Sequence, residues 1–79
     1  MSDKKILCSH WYTQLSEPRP VGMVLVQHEH NKMAYIGAGT GITEEADANW
    51  IAITGARLPK AVAEAAFKGF DFSDYKAQQ

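Results

Sequence analysis

Residues 5–12 (KILCSHWY) are rich in side chains that favour extended backbone and predict a first strand. The stretch 14–20 (QLSEPRP) interrupts it, because Pro18 and Pro20 on either side of Arg19 exclude a central strand or a helix interior. Gly22 to His30 (GMVLVQHEH) predicts a second strand, apolar on both faces at its start and polar at its end. Asn31 and Lys32 carry a tight-turn signal, and Lys32 to Ala38 (KMAYIGA) predicts a third strand, so that 22–38 reads as a hairpin. Gly37, Gly39 and Gly41 then loosen the backbone.

The segment 43–54 supports two readings. Thr43 followed by Glu44, Glu45 and Asp47 is a helix start: the hydroxyl caps an orphan N–H, and the carboxylates suit the positive end of the helix dipole. Ala46, Trp50 and Ile53 then share one face, and Gly55 is the stop. Against this, Trp50-Ile51-Ala52-Ile53-Thr54 alternates and is β-branched, as a fourth strand would be. The helix start carries the greater weight.

Residues 59–69 predict a helix, with Pro59 at its first position and alanines through its interior. Lys60, Glu64 and Lys68 form one polar ridge at i, i+4 spacing. The remaining surface is apolar, with Leu58, Val62, Ala65 and Ala66 on one side and Ala63, Phe67 and Phe70 on another. That arc is wider than one small sheet requires. Its second side is expected to meet a second copy in a homodimer, or to be covered by the tail through Phe72 and Tyr75. The end of the tail is expected to fray, within residues 70–79. The fold class is therefore α+β: a single domain over residues 1–79, with a small antiparallel sheet of three to four strands and one or two helices toward the C-terminus.

Length changes the picture next. Seventy-nine residues allow one domain and a small core. Chains of this size often lean on a metal, a disulfide or a partner, and Cys8, the sole cysteine, excludes an intrachain disulfide. The 8 basic and 9 acidic residues balance, which argues against a dedicated nucleic-acid binder. No apolar run approaches the roughly 18 to 20 residues of a membrane span. Lys4 and Lys5 precede too few apolar residues to make a signal-peptide core, and one unpaired cysteine suits a reducing cytoplasm.

Four features could carry chemistry. Cys8 and His10 lie two apart on the first strand, and His28 and His30 two apart on the second. Antiparallel pairing about Arg19 would bring the four to one face as a candidate zinc set, in a register that a one-residue slip destroys. Gly37, Gly39 and Gly41, between a strand and a helix start, could offer N–H groups to a phosphate, though the loop lacks a P-loop lysine and Glu44 and Glu45 would repel an anion. Two helices joined across 56–59 have the outline of a helix–turn–helix, with only Lys60 and Lys68 to meet DNA. Cys8 or Ser9 beside His10 is the sole nucleophile pattern, without a cleft to shield it, and no catalytic residue is assigned.

The remaining expectation is a protein interface without a required cofactor. Its candidates are the aromatic residues Trp11, Trp50, Phe67, Phe72 and Tyr75 and the acidic stretch Glu44, Glu45 and Asp47. In size and texture, though in no motif, the chain resembles the small accessory proteins of phages and mobile elements, which implies binding and blocking of a host protein.

Overall fold

The structure, a computed structural model, describes residues 4–12 and 18–76. β1 (Lys5–Trp11), β2 (Val21–His28) and β3 (Asn31–Ala38) form an antiparallel meander, which a two-residue β4 (Ala56–Arg57) extends in the order β1-β2-β3-β4. Helix α1 (Glu44–Thr54) precedes β4 and α2 (Lys60–Ala66) follows it. This is a small α+β fold, with a four-stranded antiparallel sheet and helices C-terminal to the main strands.

Period-two alternation divides the core. Met23, Leu25 and Ala34 point to one face, where Leu58, Ala63, Phe67 and Phe72 cover them. Val24, Val26, Met33 and Tyr35 point to the other, under Ala48, Ile51 and Ala52 of α1. The apolar run of β2 is thus a strand buried on both faces. The two helices lie on opposite faces because β4 pairs with β3 between them, Tyr35 opposite Arg57. The expected helix–turn–helix outline does not form.

The β2–β3 turn falls at Glu29-His30, two residues earlier than expected, and His28 pairs with Asn31. Glu29 takes the positive φ, and the Gln27 amide holds the turn by donating to the carbonyls of Glu29 and Asn31, each at 3.2 Å. The helix reading of 43–54 is the correct one. The Thr43 hydroxyl accepts from the Ala46 N–H at 3.0 Å, and the Gly55 N–H closes the helix on the Ile51 carbonyl at 2.7 Å. Gly55 serves by its size rather than by a left-handed backbone: its φ is -72°, and a Cβ there would fall 2.6 Å from the Ile51 carbonyl oxygen. Helix α2 is shorter than expected, with Pro59 as its cap instead of its first residue.

The tail docks as far as the description runs. Phe72 is buried beside Phe67, and Tyr75 packs against the same cluster. Beyond β4, the tail takes over the edge of β3. The Lys32 N–H donates to the Asp74 carbonyl at 3.1 Å, the Lys76 N–H donates back to the Lys32 carbonyl at 2.8 Å, and the Lys32 ammonium pairs with the Asp74 carboxylate at 3.2 Å. Residues 77–79, the end of the tail expected to fray, lie outside the described residues. Since Ala63 and Phe67 turn inward, the exposed apolar part of α2 and its end reduces mainly to Val62 and Phe70.

Candidate functional site

The expected metal set does not assemble. Strand β1 pairs with β2 so that Cys8 faces Leu25 and His10 faces Met23, far along the strand from His28. The assumed register failed because the pairing is not centred on Arg19: Cys8 lies opposite Leu25, five positions from His30, and an odd shift also changes the face. His28 follows Val24 and Val26 in alternation, on the α1 face, whereas Cys8 and His10 belong to the α2 face. His30 sits in the exposed turn. Among the described residues no group of three or more His, Cys, Asp or Glu could hold a metal ion.

The residues of the nucleophile pattern make other contacts. The Cys8 thiol, half-buried, donates weakly to the Ser9 carbonyl, and the Ser9 hydroxyl accepts from the Trp11 indole N–H at 3.1 Å on the opposite face from His10. The His10 ring meets the edge of Tyr12, with ring centres 5.3 Å apart.

The glycine loop has an anion already, and it is internal. Asp47, on the first turn of α1, is 0% exposed. Its carboxylate accepts from the Thr40 N–H and the Thr40 hydroxyl, both at 2.7 Å, and from the Gly41 N–H at 3.0 Å. The Gly39 N–H donates instead to the Pro20 carbonyl at 2.7 Å. The N–H groups of residues 39–41 are thus all engaged, and the phosphate expectation for Gly37, Gly39 and Gly41 gives way to a clasp that ties β3, the loop and α1 together. Burial alone would raise the Asp47 pKa, but the Thr40 hydroxyl and the N–H groups of Thr40, Gly41 and Ile42 outweigh it and hold the carboxyl below its ordinary range.

Of the expected interface residues, Phe67 and Phe72 belong to the core, Asp47 to the clasp and Tyr75 to the docked tail. Trp11 is half-buried and packs on the α1-side cluster across Gly22. Trp50, Glu44 and Glu45 do reach the surface. Around them lies a patch of which sequence reasoning had named only part. Ala46, Trp50 and Ile53 share one face of α1, and that face is the outward one. Trp50 is 47% and Ile53 73% exposed, and Ile42, just before the helix, is 75% exposed. At the C-terminal end of the patch Lys4 comes from outside the helix. Its ammonium donates to the Ala52 carbonyl at 2.9 Å and stands 4.6 Å from the centre of the Tyr35 ring. The helix has no basic residue of its own in its last turn, so Lys4 provides the charge its dipole favours there. Lys4, Asn49, Ala52 and Ile53 line an open pocket of about 310 Å³.

Fold and surface together define a small α+β domain with no clustered metal ligands among the described residues and a helix that carries apolar side chains on its outward as well as its buried face. No described helix is long and apolar enough to cross a membrane. No family model, curated protein or solved structure matches the chain.

Proposed function

We propose that this chain is a protein-binding module without catalytic activity of its own, and that it binds through the outward face of α1. The observation that carries this reading is the exposure of Trp50 and Ile53 at helical spacing, with Ile42 beside the cap, on a helix whose other face already fills the core. Aromatic and branched apolar side chains held rigidly by a packed helix lose little entropy on docking and are the usual anchors of an interface. Glu44 and Glu45 at one end and Lys4 at the other give the patch a charge polarity that orients a partner.

Site-specific photocrosslinking tests the reading. A photoreactive residue at position 53 should give a discrete protein adduct that Trp50→Ala abolishes, whereas the same group at position 62, on α2, should not. Adducts of equal yield from both positions, or adducts indifferent to Trp50, would overturn it.

A further inference from the structure

We infer that the occupant of the α1 face is a second copy of this chain, docked with the two α1 helices antiparallel. The inference rests on the protein-binding reading above and names its partner. Two observations carry it.

The first is charge. Glu44 and Glu45 stand exposed at the N-terminal end of α1, and Lys4 is held at its C-terminal end by the bond to the Ala52 carbonyl. An antiparallel pair brings the acidic end of each helix to the basic end of the other, twice by symmetry, and also opposes the two helix dipoles favourably. A parallel pair would set like charges together.

The second is size along the face. A two-fold axis passing between Asn49 and Trp50 places Ala46 opposite Ile53 of the second copy. The branched Ile53 then meets the small Ala46, as interdigitating ridges and grooves require. In the same register Glu45 lies opposite Thr54 of the second copy, within the reach of its Lys4.

Sedimentation equilibrium across the micromolar to millimolar range tests this. The wild-type chain should show a concentration-dependent rise toward the mass of two chains, and Ile53→Glu, at an exposed position, should remain folded and of single-chain mass. Lys4→Glu and Glu45→Lys should each weaken self-association about fivefold or more. An equimolar mixture of those two variants should associate again, because each mixed contact then pairs opposite charges. Recovery on mixing also shows that neither variant had simply unfolded. A single-chain mass at every wild-type concentration would overturn the inference. So would a dimer that survives Ile53→Glu but is lost in Val62→Glu, or a mixture no tighter than its components. Photocrosslinks from position 53 to a different protein, combined with a single-chain mass, would overturn the second-copy partner while keeping the binding face.

Discussion

Gly39 lies directly against the side chain of Asp47: a Cβ at position 39 would fall 2.6 Å from the Asp47 Cγ and 2.9 Å from its Oδ2. The glycine is there because the carboxylate is. Gly39→Ala should therefore push Asp47 off Thr40 and Gly41 and lower the melting temperature clearly. Asp47→Asn keeps the shape but turns one acceptor into a donor facing other donors, and should destabilise as well. Circular dichroism melts check both. A melting temperature unchanged in Asp47→Asn would show that the clasp contributes nothing.

The same carboxylate makes stability depend on acid. Its pKa is lower in the fold than in the unfolded chain, so its contribution is complete above the ordinary carboxylate range and is lost as pH falls through the folded value. Asp71, whose carboxyl is held low mainly by the Ser73 N–H and hydroxyl, acts in the same direction. Urea titrations over a falling pH series should show the wild-type midpoint dropping below the ordinary carboxylate range. Asp47→Asn should start lower and fall less steeply.

Tyr75 inserts its hydroxyl into the sheet. It accepts from the Ala34 N–H at 3.2 Å and donates to the Leu58 carbonyl at 2.6 Å, while the Leu58 N–H donates directly to the Ala34 carbonyl at 3.0 Å. Half of an antiparallel pair is thus made through a phenol. Tyr75→Phe strands one donor and one acceptor and should cost about 1–3 kcal/mol by urea denaturation. Burial raises the Tyr75 pKa, more than the Ala34 N–H and Arg57 lower it. Its contribution is accordingly complete below the ordinary tyrosine range and declines as pH rises toward the raised value. That alkaline decline should be smaller in Tyr75→Phe.

The two faces of α1 should respond differently to truncation. Ile51 is fully buried, and Ile51→Ala should cost about 2–5 kcal/mol. Ile53→Ala should stay within about 0.5 kcal/mol for the isolated chain. Thr43→Ala, which removes the cap, should fall between them at about 1 kcal/mol. Equal losses at 51 and 53 would contradict the orientation of the helix.

Much of the fold was legible. The strand segments, the capping threonine and the alanine-rich helix follow from local rules, since each is decided within a few residues. The orientation of α1 was not, because Ala46, Trp50 and Ile53 on one side and Ala48, Ile51 and Ala52 on the other are comparably apolar, and only the sheet beneath selects one. The Asp47 clasp resembles an ordinary acidic first turn; the three spaced glycines just upstream were the available sign of a close approach. The zinc expectation failed on register, which the sequence around Arg19 leaves open and β1 itself complicates.

That complication is the bulge between Ile6 and Cys8, where Leu7 is an extra residue and joins Cys8 against the α2-side core. It lets Ile6 and Trp11, which differ in parity, both reach the α1 side. It also shapes the outer border of the sheet, since β1 is an edge strand. A straight terminal strand offers an evenly spaced row of amides on which other chains can stack without limit. A strand with one residue out of step cannot be copied regularly along such a stack. Bulges are one of the ways in which edge strands resist such stacking, and deletion of Leu7, which would straighten β1, should raise the tendency of the chain to aggregate as well as lower its stability.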